Sequence, residues 1–210
     1  MLAFWVRMAS PALVVVPTSS HPGRNIARAI SQGGTNAAPR LVQISSRHPE
    51  KTHSVLLQSI PPSQLLPSVS LDVTKPETLL PAFQDAKVVV SLVGLLAGSP
   101  DDFNEVQWKG ARNVARAAAA INAKLVHISA IGADPNSDIP YMRTKGLAEE
   151  AVFQFCPDAT VIRPSLVFGP DDDFFNVCTF YAFHSFRNWV SSLTEILAIV
   201  SISSLLAGLC

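Results

Sequence analysis

Residues 12–30 read ALVVVPTSSHPGRNIARAI. Leu13 to Val16 is short, continuous and β-branched, the pattern of a strand buried on both faces. Asn25 to Gln32 has helical spacing and stops at Gly33-Gly34. Between them lies a tight loop. A strand, a loop and a helix in that order form the opening unit of a dinucleotide-binding fold, yet the loop is poor in glycine.

The same alternation continues along the chain. Leu41 to Ile44 predicts a second strand, followed by a Pro-rich connection that ends in a third strand, Ser68 to Val73. KPETLLPAF predicts a short helix, with Thr74 as N-cap and Pro76 in the first turn. Lys87 to Gly94 predicts a fourth strand. Phe103 to Asn122 predicts the longest helix, capped by Asp101 or Asp102. Its face of Val106, Ala111, Val114 and Ala118 is small enough for close packing on a sheet. KLVHIS, ending at Ser129, predicts a fifth strand, Tyr141 to Phe155 a helix and TVIRPS a sixth strand. Such alternation predicts an α/β fold with a doubly wound parallel sheet, Rossmann-like in connection.

Composition excludes several classes. Hydrophobic residues make up 48% and charged residues 15%, which argues against disorder. A formal net charge of zero gives no footprint for nucleic acid. Cys156, Cys178 and Cys210 lack the spacing of a disulfide framework or a zinc site, and none of the histidines has partners at metal-ligand spacing, so no metal is expected. Three regions are expected: an extension or weak presequence over 1–11, a nucleotide-binding domain over 12–176, and an apolar tail over 177–210. From Phe174 onward only Arg187 and Glu195 are charged. The closing apolar run is about fifteen residues, short of the roughly 20 that span a bilayer. Extending it over 189–209 for membrane contact brings in Glu195, which is costly there. The tail reads as out-of-frame or intron-derived sequence in preference to a membrane anchor or a partner-binding segment.

The stretch HISAIGADPNSDIPYMRTKGLAEEA, residues 127–151, carries the chemistry. Ser129 ends a strand. Tyr141 and Lys145 lie one helical turn apart on a shared face. Hydride transfer at a carbon bearing oxygen wants this set. The tyrosine moves the proton, the ammonium lowers the phenol pKa, and the serine hydroxyl holds the substrate oxygen. A Tyr-x-x-x-Lys pair also arises on solvated helix faces. The strand before it and the serine are what give it meaning here. His127, inside a strand, reads as a core histidine.

These residues resemble the short-chain dehydrogenase/reductase superfamily in its extended or atypical branch. VIRPSLVFGP (161–170) resembles its sixth-strand signature, and GARNVARAA (110–118) its fourth helix. A narrower likeness is to the nucleotide-binding accessory subunit family of mitochondrial complex I and to fungal relatives tied to coenzyme Q biosynthesis. It covers roughly 12–176. The family loop resembles G-x-x-G-x-x-G, whereas this chain has Pro17, Ser20 and Gly23 at those places. Pro17 lacks an N–H, and Ser20 carries a Cβ near the expected pyrophosphate. The Ser19 and Ser20 hydroxyls, Arg24 and the helix N-terminus are the available substitutes. Two readings stay open: an unusual working phosphate site, or a Rossmann fold that has weakened its ligand.

The resemblance implies further cofactor positions at Arg47, Asp72, Val73, Gly94 and Pro164. Ser46 and Arg47 after the second strand suit a 2′-phosphate, so NADP(H) is expected over NAD(H). A turn role for Asp72 competes with adenine contact. The implied function is an accessory nucleotide-binding protein on the matrix side of the mitochondrial inner membrane, partnered with complex I or a coenzyme Q biosynthetic complex. An active NADP(H)-dependent reductase or dehydratase using Ser129, Tyr141 and Lys145, and a truncated inactive chain, are the alternatives.

Overall fold

Strand side chains alternate between two faces, and each face needs its own apolar cover. In the computed structural model, residues 13–17, 21–33, 40–165 and 167 are described. The expected 1–11 extension, Ser19, Ser20 and the 177–210 tail with its 189–209 run lie outside the described residues.

The six strands are β1 (Leu13–Pro17), β2 (Leu41–Ser46), β3 (Val69–Ser70), β4 (Val88–Ser91), β5 (Lys124–Ile128) and β6 (Thr160–Ile162). They form one sheet in the order β3-β2-β1-β4-β5-β6, every pair parallel. The chain runs outward from β1 to β3, returns to β4 beside β1, and runs outward again. The direction reverses between β1 and β4, and in such sheets ligands bind in the crevice at that point, beyond the strand C-termini. The doubly wound architecture is the expected one.

Successive residues send side chains to opposite covers. Ile44, Val90, Val126 and Ile128 face a core with Ile26 and Ile30 of α1 (His21–Gln32) and Leu56 of α2 (Glu50–Leu56). Val89 and Leu125 face the other core, with Phe83 of α3 (Leu79–Phe83), Val114 and Ala118 of α5 (Gly110–Ala120) and Val152 of α6 (Pro140–Phe155). Ala111, Val114, Ala115 and Ala118 are wholly buried, so the small face expected of this helix does pack closely on the sheet. Among the described residues no helix is long and apolar enough to cross a membrane.

Four local expectations are corrected. The Pro-rich connection contains α2; seven residues with only Thr52 and Leu56 buried are too few for a readable period. The third strand shrinks to Val69–Ser70. Thr74 caps no helix, because its N–H and hydroxyl both donate to the Asp72 carboxylate, and a 3₁₀ turn, Pro76–Thr78, opens the segment instead. The long helix begins at α4 (Pro100–Asp102). Ser99 is its N-cap, and Asp102 closes a reciprocal capping box with Ser99. The helix then widens into a π-helical stretch, Phe103–Lys109, before α5.

The β5–α6 connection sets the distance between Ser129 and the helix that carries Tyr141. It lies directly on α6 at Gly146. A Cβ built there would stand 2.2 Å from the Pro135 nitrogen and 2.5 Å from the Asp134 carbonyl carbon, both backbone atoms. In an exposed helix, Gly to Ala stabilises by about 1 kcal/mol. Here overpacking reverses the sign. Gly146→Ala is expected to lose at least about 2 kcal/mol of unfolding free energy in urea titration. Wild-type stability would mean that the loop does not press on the helix.

Candidate functional site

The site gathers beyond the C-terminal ends of β4 and β5. Lys145, in the second turn of α6, is 4% exposed and reaches back to the sheet. Its Nζ donates to the carbonyl of Val93, just after β4, and to that of Ile128, the last residue of β5, each at 3.0 Å. Gly94 completes this seat. A Cβ there would lie 3.1 Å from Nζ, so glycine leaves the room that the ammonium uses. Burial pushes Lys145 down to about 8, with Glu149 one turn on pulling it partly back. Glu149 is itself held by Arg163, whose Nε donates to its Oε1 at 2.8 Å.

Ser129 follows Ile128 and is 4% exposed. Its Oγ is buried and has no hydrogen-bond partner among the described residues. Pro164 lies across from it: the Ile131 N–H donates to the Pro164 carbonyl at 2.8 Å, tying the loop after β5 to the segment after β6. Ser129, Lys145, Gly94 and Pro164 therefore border one region.

Tyr141 differs from expectation in one respect. Its ring is half-buried and meets Phe103 edge-on, with centroids 6.1 Å apart. Burial raises the phenol pKa. The Lys145 ammonium, expected to lower it, donates to the Val93 and Ile128 carbonyls. His127, fully buried in β5, lies 3.4 Å by Nδ1 from Ser91 Oγ. Burial and then the Lys145 charge push it down to about 3, so it is a neutral core histidine at ordinary pH.

The remaining predicted positions lie along the other half of the sheet. Gly23 is buried in the first turn of α1, and Arg24 beside it is partly buried. Pro17 is the last residue of β1, paired with Ser45. Arg47 is exposed just past β2, and Ser46 Oγ before it is buried without a partner among the described residues. Asp72 forms a local turn with Thr74. Burial raises its carboxyl, but the Thr74 donors and then the charges of Arg47 and Lys75 outweigh this, and the net direction is down. Val73 packs against Gly110, and its carbonyl accepts from Asn113 Nδ2 at 2.9 Å.

Sequence reasoning missed Gln107 and Gly146. Gln107 is fully buried in the π-helical stretch and links the loop after β4 to α6. No spacing rule marks a lone glutamine. Nothing in the sequence says which helix glycine faces backbone.

Two buried hydroxyls at strand ends, Ser46 and Ser129, have no partner among the described residues and would suit the polar groups of a dinucleotide, whereas the space at Gly94 is taken by the Lys145 ammonium. Lys145 also makes a pH prediction. Below pH 8 both folded and unfolded chains hold the proton, and the fold bears the cost of burying it. Between about 8 and 10.5 the unfolded chain keeps the proton and the folded chain releases it, so this group's contribution to stability rises with pH. The stability of wild type minus that of Lys145→Met is expected to increase across that window in urea unfolding. A flat difference would place the ammonium in water.

No protein-family model matches the chain. Among curated proteins it is similar to the mitochondrial NADH-ubiquinone oxidoreductase 40 kDa subunit of Neurospora crassa, 28% identical over 50% of this chain and 28% of that one. It is also similar to a ceramide reductase of Caulobacter vibrioides, 33% identical over 50% of this chain and 33% of that one. The match thus spans about a third of these relatives' length. Among solved structures it resembles the Citrobacter sp. triphenylmethane reductase complexed with NADP(H), with TM-score 0.58 and 19% identity over 78% of this chain and 51% of that one. It also resembles a gluconate 5-dehydrogenase from Burkholderia cenocepacia in complex with NADP and tartrate, with TM-score 0.61 and 19% identity over 79% and 78%. At those identities the structures speak for the fold alone. The chain therefore has a Rossmann fold, and over half its length it is similar in sequence to the 40 kDa subunit of complex I.

Proposed function

We propose that this chain binds a nicotinamide dinucleotide, NADP(H) in preference to NAD(H), as an accessory protein on the matrix side of the mitochondrial inner membrane. Its partner in this reading is complex I or a coenzyme Q biosynthetic complex. The observation that carries the reading is the crevice at the β1–β4 reversal of the sheet, bordered at the strand ends by the buried hydroxyls of Ser46 and Ser129, which have no partner among the described residues. The names of the relatives, subunits of mitochondrial NADH-ubiquinone oxidoreductase, support the compartment and the partner.

The residues that would hold the dinucleotide are Ser19 and Ser20, Gly23 and Arg24 in the first turn of α1, Arg47 after β2, Asp72 and Val73 after β3, Gly94 after β4, and Pro164 after β6. Arg47 is exposed and already draws Asp72 electrostatically, so a 2′-phosphate would compete with that carboxylate for the guanidinium. Bound dinucleotide would supply a hydride donor or acceptor.

A second reading has its own observation. The buried, unpartnered Ser129 hydroxyl is suited to a substrate oxygen, and one relative is named a ceramide reductase. In this reading Ser129, Tyr141 and Lys145 form a reductase site.

Thermal unfolding with NADPH and, separately, NADH tests the proposal. A ligand that binds only the folded state adds about 2.7 kcal/mol at 100 times its Kd. NADPH is expected to raise Tm by several degrees, and more than NADH does. Arg47→Glu is expected to remove that difference. The NADPH shift is expected to survive Tyr141→Phe, without turnover of carbonyl substrates. No shift with either nucleotide from a cooperatively folding sample would sink the proposal, and NADPH-dependent carbonyl reduction that collapses in Tyr141→Phe would establish the second reading.

A further inference from the structure

Gln107 is a large polar side chain with no solvent contact, in the one stretch of its helix that departs from α geometry. π-helical turns are rare and recur at functional sites, because the extra residue redirects a side chain. Here the redirected amide makes three hydrogen bonds. Its Oε1 accepts from the backbone N–H of Leu95 at 3.2 Å. Its Nε2 donates to the carbonyl of Tyr141 at 2.9 Å and to Thr144 Oγ1 at 3.0 Å. The Thr144 hydroxyl spends its own proton on the Pro140 carbonyl at 2.8 Å, which leaves its oxygen free to accept. The orientation of the amide is thus fixed by its partners.

Position gives these bonds a consequence. Leu95 follows Gly94, in the loop after β4. Tyr141 and Thr144 belong to the first turns of α6, and Lys145 follows directly. A Cβ at Gly94 would stand 3.4 Å from Gln107 Oε1 and 3.1 Å from Lys145 Nζ, so the amide and the ammonium flank the same backbone. We propose that Gln107 is a positioning residue for the dinucleotide site: it fixes the Gly94-Leu95 backbone to the start of α6, so that the loop beside the cofactor and the helix bearing Tyr141 and Lys145 hold one relative placement. This deepens the proposed function and rests on its assignment of Gly94 to the cofactor.

A purely structural glutamine would cost stability when replaced and nothing more. The comparison is therefore between Gln107→Leu, which removes all three bonds, and Thr144→Val, which removes the Gln107–Thr144 bond and the hydroxyl's own bonds within α6 but leaves the Leu95 and Tyr141 bonds of Gln107 in place. NADPH affinity is measured where each variant is fully folded. Gln107→Leu is expected to weaken binding about tenfold, the effect of leaving a buried donor unsatisfied. Thr144→Val is expected to stay within about twofold of wild type, whatever its Tm. Equal affinity in Gln107→Leu and wild type overturns the positioning role while leaving the proposed function intact.

Amide hydrogen exchange on the unmutated protein gives a decision that needs neither folding of the variant nor nucleotide binding. The Leu95 amide is expected to exchange slowly in the free protein although it lies outside any strand. Rapid exchange there, at the rate of its exposed neighbour Leu96, overturns the clamp. If wild type binds neither nucleotide, the proposed function fails on its own test, the cofactor-positioning role fails with it, and slow Leu95 exchange would then mark Gln107 as a structural clamp only.

Discussion

A sheet that ends leaves carbonyls with no strand to meet, and in this protein Lys145 meets two of them. Burying an ammonium costs several kcal/mol, even after the surroundings relax. Two charge-assisted hydrogen bonds, to Val93 and Ile128, offset much of that. The arrangement needs α6 close to the sheet, glycine at position 94, and β4 and β5 in register. That register is observed from Val88 opposite Lys124 to Ser91 opposite His127. The rest of the site follows from this one contact. It adds to the burial that lowers His127, and it sets Gln107 and Lys145 beside one loop.

The close approach of α6 is built from small residues. Gly146 lets the Asp134-Pro135 backbone lie against the helix, and Ala148 and Val152 of the same helix are wholly buried. Gly110 lets Val73 pass against α5. The site is therefore framed by two close approaches that glycine permits, of backbone at Gly146 and of the Val73 side chain at Gly110. It depends on exact spacing more than on the number of polar groups. Arg163 and Glu149 then fix the β6 side by a paired guanidinium and carboxylate, with the carboxylate largely shielded from water.

The relation to complex I subunits and the presence of Ser129, Tyr141 and Lys145 point to different functions. A proton-relaying tyrosine needs a phenol that ionises near neutral pH. Burial beside Phe103 moves this one the other way. The residue types of a reductase are present. In the proposed nucleotide-binding reading the cofactor would fall to backbone, hydroxyls and a few cations.

The sequence by itself determined the alternation of strands and helices, the two-sided burial of the sheet, the place of the crevice and the candidate residues at its edge. Continuous β-branched runs and a small-residue helix face are local signals, and they survive folding because burial on both sides of the sheet enforces them. Four things were decided only in three dimensions: α2, the π-helical stretch, the turn made by Asp72 with Thr74, and the direction in which Lys145 points. Each depends on which backbone groups lack partners once the chain has packed. The Val93 and Ile128 carbonyls and the Leu95 N–H are far apart in sequence from the side chains that satisfy them. No period or motif in the chain records that debt; it arises where strand ends and helix starts converge.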